Sequence, residues 1–138
     1  AIKNGSENII PVKPNTIAKS IAIGNPADGY YGIKTANASG GYGEDISDEE
    51  IVSAMKLLAE TEGVFTETAG GVTVGVTQKL VQQGRIKPDE VTVICITGNG
   101  LKTQEALADC FSAPAVIEAK IDSFEEIFSN DLALNGLH

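Results

Sequence analysis

VTVICITGNGLK, residues 91–102, is the stretch from which the fold class of this chain is read. Its first seven residues are β-branched or apolar without a charge, and two glycines follow at Gly98 and Gly100. A strand that is apolar on both faces is expected in a parallel sheet covered by helices. The glycine turn then leads into a helix expected over residues 101–111. In open α/β sheets ligands gather beyond the carboxyl ends of the strands, and Thr97 stands at that end. Two readings of Thr97 carry equal weight. Its hydroxyl faces a ligand in the crevice, or it caps the following helix in a tight turn.

Working outward, Ser47 and Glu50 have the spacing of a capping box, with Asp48 and Glu49 favourable beside a helix N-terminus. Apolar Ile51, Ala54, Met55 and Leu58 lie on one face of the helix they open, which ends near Gly63. Residues 68–81 are balanced between helix and strand, because Gly70, Gly71 and Gly75 are poor helix formers. The ending 79–84 resembles a helix C-terminus, so a helix with small, closely packing residues is expected. Further upstream, residues 1–14 read as an extended segment broken by Pro11 and Pro14. Asn15 or Thr16 caps a short helix over 17–21, Gly24 ends it, and Pro26 sits in the first turn of another that closes at Ser39 and Gly40. Short strands are expected at 44–46 and 115–121, and an amphipathic helix around 124–128. This alternation of strands and helices is the α/β pattern.

The chain of 138 residues suffices for one core. Ten basic residues face nineteen acidic ones, a formal charge of -9 that argues against nucleic acid or an anionic membrane as partner. No stretch approaches the roughly 18 apolar residues of a membrane span. Cys95 sits in an apolar run and reads as core; Cys110 follows an acid on an expected helix. His138, the only histidine, is the last residue. A histidine triad or zinc site is therefore not expected, and no metal site is assigned. Asp48, Glu49 and Glu50 lie on a solvated helix start, which disfavours a glycosidase-like pair.

Two more patterns accompany the turn. In 65–71 (FTETAGG), Glu67 and Thr68 stand at a helix start where free N–H groups and the helix dipole meet. The plainer reading makes Thr66 or Thr68 an N-cap and Glu67 a complement to the dipole. Gly24, Asn25 and Pro26 form a second pattern, whose plainer reading is a joint between helices. Neither has the glycine spacing of a Walker loop or a dinucleotide fingerprint.

Together PNTIAKSIAIGNPADG (14–29), SDEEIVSAMKLLAETEGVFTETAGG (47–71) and ITGNGLKT (96–103) resemble the threonine synthases, with fitting order and spacers over about residues 10–108. That resemblance implies the α/β architecture of the tryptophan-synthase-β-like, fold-type II pyridoxal-phosphate enzymes, a partial three-layer sheet with helices on both faces. Residues 1–113 would be the C-terminal part of the large cofactor-binding domain and 114–138 a C-terminal extension, with a weak boundary near 112–114. The implied reaction turns O-phospho-L-homoserine and water into L-threonine and phosphate. The cysteine usage is read as that of a reducing, cytoplasmic compartment, and a chain missing part of its parent sheet is expected to expose an edge and form a homo-oligomer. The implied cofactor contacts are Thr97, on the pyridine nitrogen, and Gly98, Asn99 and Gly100 around the ring. Gly24, Asn25, Pro26, Glu67 and Thr68 would line the substrate pocket.

The family's Schiff-base lysine lies in a Ser-Phe-Lys-Asp motif that no stretch of this chain matches, and the cofactor-phosphate loop finds no match either. Lys102, after the glycine turn, is expected to face solvent. No catalytic residue is therefore assigned here. The chain is expected to be part of a longer enzyme and inactive alone. The alternatives are a stand-alone truncated domain that binds a ligand or partner, or part of another pyridoxal-phosphate enzyme such as threonine dehydratase or cysteate synthase.

Overall fold

The capping box forms as read. Glu50 N–H donates to Ser47 Oγ at 3.3 Å, and Ser47 N–H donates to Glu50 Oε2 at 2.6 Å. These bonds satisfy backbone donors that the first turn of a helix leaves free. The computed structural model describes residues 1–111 and 114–135, and its helices are α1 (Gly29–Ser39), α2 (Asp48–Glu62), α3 (Thr68–Gln82) and α4 (Ile121–Asn135). Gly63 ends α2 at φ 66°, a left-handed conformation in which a side chain would be strained.

Small residues let α2 and α3 pack side by side. A Cβ placed on Gly71 would stand 2.6 Å from Met55 Cγ and 3.0 Å from the Ile51 side chain. One on Gly75 would stand 2.6 Å from the end of Ile46. The glycines that lower helix propensity thus earn close contact with the neighbouring helix. Ala18, Ile51, Met55 and Leu107 form the buried cluster, with Ile17, Ile46, Val52 and Val72 packed against it. Asp48 reaches back to this core: its Oδ1 accepts from the Thr16 hydroxyl at 2.6 Å and from Ile17 N–H at 3.2 Å.

Several expected elements differ. Residues 17–21 supply only a 3-10 turn, Lys19–Ile21. The helix expected to open at Pro26 starts at Gly29, after a turn closed by Gly29 N–H on Pro26 C=O. Residues 101–111 form the short 3-10 turns Gly100–Lys102 and Gln104–Cys110 rather than an α-helix.

Residues 44–46, 91–97 and 115–121 form no strand, and the last position instead opens α4. No strand occurs among the described residues, so the expected three-layer sheet is not present in them. The cause is partnership, since a strand needs a neighbour to take its N–H and C=O groups. Among the described residues nothing pairs with 91–97, and Val91 and Val93 are 94% and 82% exposed. Cys95, read as core, is exposed with them, as is Cys110.

Two compact units result, Ala1–Ala108 and Asp109–His138. In the second, Phe124 and Phe128 of α4 stack with centroids 5.7 Å apart, and both are exposed. The expected boundary at 112–114 falls partly, and His138 wholly, outside the described residues. No helix among the described residues is long and apolar enough to cross a membrane.

Within the segment 1–14 expected to be extended, Ile2–Asn4 form a 3-10 turn, which is tied to α3 by charge. Lys3 Nζ lies 3.0 Å from Glu44 Oε1, and Lys79 Nζ lies 3.4 Å from Glu44 Oε2. The hydrogen bond from Lys3, followed by its charge, holds the Glu44 carboxyl below its ordinary value of 4.5, while Lys3 is raised. A depressed carboxylate stabilises the fold above its unfolded pKa, and that contribution is lost as pH falls through the folded value. Amide exchange at residues 2–6 is therefore expected to quicken as pH is lowered from 4.5, after correction for intrinsic rates. In Glu44→Gln that pH dependence should vanish. Separately, Gly71→Ala should lower stability by about 1–3 kcal/mol in urea unfolding through overpacking against Met55.

Candidate functional site

Two segments distant in sequence meet at one crossing. Thr66 and Asn99 form an isolated antiparallel bridge. Glu67 N–H donates to the Gly98 carbonyl at 3.0 Å, and Gly100 N–H donates to the Phe65 carbonyl at 3.1 Å. The Thr66 hydroxyl adds a bond to the Gly98 carbonyl at 3.2 Å. Thr68 N–H, at the start of α3, donates to Thr103 Oγ1 at 3.1 Å.

All the buried polar side chains of the described residues are here: Thr66, Glu67, Thr68 and Thr103. Buried polar groups are costly unless bonded, so their gathering at one place marks a built junction. Glu67 occupies the N-cap position of α3, but its side chain makes no capping bond. Thr103 satisfies the neighbouring N–H instead, from 35 residues away. The Glu67 carboxylate lies beside Lys102, Oε1 to Nζ 3.9 Å. Lys102 itself faces solvent, with 65% of its side chain exposed. The Thr68 hydroxyl is buried and has no partner among the described residues.

The turn at 97–100 is shaped by this packing. A Cβ on Gly98 would overlap the Glu67 carboxylate. One on Gly100 would stand 2.5 Å from atoms of the Phe65 ring. Both glycines are thus required by the protein's own contacts. Asn99 Oδ1 accepts from Leu101 N–H at 2.9 Å and caps the turn Gly100–Lys102. Asn99 therefore holds the capping role that one reading gave to Thr97. Thr97 is exposed, and among the described residues its hydroxyl has no partner.

Glu67, Thr68, Thr97, Gly98, Asn99 and Gly100 are thereby brought together. Gly24, Asn25 and Pro26 are not part of the crossing. The Gly24 carbonyl accepts from Val12 N–H at 3.0 Å, and Asn25 is exposed. Pro26 lines an open groove of about 520 Å³ with Ile9, Gly29 and Ile33, to which no residue of the crossing contributes. Thr103 is the member that sequence reasoning missed. A threonine after Lys102 carries no local sign that it will cap a helix 35 residues upstream.

Residues 1–98 match the model of a family described as pyridoxal-phosphate dependent enzyme. The chain belongs to that family. It is also 40% identical over 128 residues to a threonine synthase of Methanocaldococcus jannaschii, covering 92% of this chain and 32% of that protein. A threonine synthase of Methanosarcina acetivorans is 41% identical over 128 residues, covering 91% of this chain and 31% of that protein. One from a Bacillus species reaches 47% over 90 residues, or 65% of this chain and 26% of its own. The chain thus spans about a third of the length of the first two relatives. Membership supports the α/β class read from the sequence, although the described residues are helical.

The residues present fit one edge of the family's cofactor. Thr97 offers a hydroxyl free of other partners, on a turn held by two backbone hydrogen bonds. A neutral donor or acceptor in that setting suits a heteroaromatic ring nitrogen. For the crossing itself, Thr103→Val should cost about 1–3 kcal/mol in thermal or urea unfolding, because it leaves the buried Thr68 N–H without an acceptor. Thr103→Ser should recover most of the loss.

Proposed function

We propose that this chain is the C-terminal portion of a threonine synthase, converting O-phospho-L-homoserine and water to L-threonine and phosphate. The observation that carries the proposal is the free Thr97 hydroxyl on a turn clamped by residues 65–68, in a chain similar to threonine synthases along most of its length. When bound, pyridoxal phosphate would supply an electron sink for the substrate's α-carbon. Thr97 would hold the ring nitrogen through its hydroxyl. A hydroxyl, unlike a carboxylate, does not keep that nitrogen protonated, so the protein moderates the sink. Gly98, Asn99 and Gly100 would shape the edge of the pocket around the ring, on a turn that Asn99 caps through Leu101 N–H.

Glu67 and Thr68 support the turn and, with Gly24, Asn25 and Pro26, would border the substrate pocket of the whole enzyme. The lysine that carries the cofactor and the loop that holds its phosphate would come from elsewhere in the enzyme, so the chain alone is inactive. Residues 91–97 would become a strand of the three-layer sheet once neighbouring strands are supplied. Residues 1–113 would belong to the large cofactor-binding domain and 114–138 to an extension. Unpaired strand positions and exposed apolar residues on α4 favour association, in keeping with a cytoplasmic homo-oligomer.

The test replaces the matching third of the Methanocaldococcus jannaschii relative with this chain and follows phosphate release from O-phospho-L-homoserine. Turnover is expected, with Thr97→Ser close to the parent chimera. Thr97→Val should lower kcat about tenfold, the worth of one hydrogen bond of about 1.4 kcal/mol. A folded, cofactor-loaded chimera that releases no phosphate would refute the substrate. Equal rates for Thr97→Val and the parent would refute the role of Thr97.

A further inference from the structure

Glu67 is a buried carboxylate whose place in the structure is not explained by capping or by a strong ion pair. It is 7% exposed, it makes no capping bond to α3, and its contact with Lys102 is 3.9 Å long. Lys102 is largely solvated, and an ion pair of that kind contributes little. What the carboxylate does have is a neighbour on one side: it fills the space that a side chain at position 98 would need. The backbone of Glu67 is meanwhile bonded to the carbonyl of that same Gly98, as is the Thr66 hydroxyl. Gly98 is therefore held in front by its carbonyl and behind by the Glu67 side chain. The residue before it is Thr97.

We propose that Glu67 is a positioning residue, whose side chain wedges against Gly98 and sets the direction in which Thr97 presents its hydroxyl. The inference deepens the reading of Thr97 as a cofactor contact and rests on it. The wedge acts by shape. A side chain of the same length without charge should serve, whereas truncation should leave the turn free to rock about its two backbone hydrogen bonds. The glycine at 98 and the glutamate at 67 are then a matched pair, each accommodating the other.

The experiment uses the 138-residue chain itself and needs no cofactor. Thermal midpoints are measured for Gly98→Ala, Glu67→Ala and the double variant. NMR follows the Thr97 Hα–Hβ coupling, which reports whether one χ1 rotamer or several are populated. Gly98→Ala should lower the midpoint in the parent, and most of that loss should disappear in the Glu67→Ala background. Glu67→Ala should average the Thr97 coupling and speed amide exchange at Gly100 about tenfold or more, a sign of local opening. Glu67→Gln should retain the parent coupling. Ile51→Val, a core variant that also lowers the midpoint, should leave the coupling unchanged.

The proposal fails if Gly98→Ala costs the same in both backgrounds. It also fails if the Thr97 coupling is unmoved by Glu67→Ala, or if Ile51→Val moves it as much. Each of these results leaves the phosphate-release test of Thr97 untouched, so the two readings fall separately.

Discussion

Two backbone hydrogen bonds, between Glu67 and Gly98 and between Gly100 and Phe65, join parts of the chain that would otherwise have little to hold them together. On one side of this crossing lies the helical pair α2 and α3; on the other lies an apolar run whose residues before Ile96 are exposed. The crossing closes a loop of about thirty residues, and the entropy lost in that closure must be recovered locally. It is recovered by burying Thr66 and Thr103 with their hydrogen bonds and by seating Leu107 in the apolar cluster with Ala18, Ile51 and Met55. The site inherits its geometry from that seam. Thr97 projects from it, the glycines conform to it, and α3 begins at it.

The close approach of α2 and α3 makes the seam possible. Gly70 leaves room for the Thr66 side chain, and Gly71 leaves room for Met55. A larger residue at 71 would push α3 from α2, and one at 70 would displace the Thr66 side chain from the crossing. Poor helix formers are tolerated in α3 because tertiary packing supplies more stability than propensity removes.

Legibility in the sequence followed the range of the interactions. Ser47 and Glu50 speak to each other across one turn, so α2 could be read from its start to Gly63. The helix over 68–82 was legible from its spacing and its ending, and its glycines were correctly assigned to close packing. Readings failed at one local turn and where the deciding partner was remote. Pro26 suits a first helical turn, yet the chain closes a turn there and waits until Gly29. Residues 91–97 have every local property of a buried strand, and Cys95 was accordingly placed in a core; without a neighbouring strand neither follows. At the site, family resemblance assigned 97–100 to the cofactor and Glu67 and Thr68 to the substrate pocket; that the two segments meet had no signal, since no spacing rule relates residues so far apart. The Thr103 cap had no local signal. Setting aside the capping role of Thr97 required seeing Asn99 take that bond.

The apolar run is the point at which this account is most exposed. If the chain is a part of a larger α/β enzyme, residues 91–95 form a covered strand only when the other part is present. The direct measurement is hydrogen exchange, read by mass spectrometry, of the peptide spanning 91–97. It is compared in the chain alone and in the chain joined to the remaining two-thirds of the Methanocaldococcus jannaschii relative. The account predicts rapid exchange in the isolated chain and slowing of about a hundredfold or more in the joined protein, as expected for an interior strand. Rapid exchange in both, in a joined protein that is otherwise folded, would contradict it.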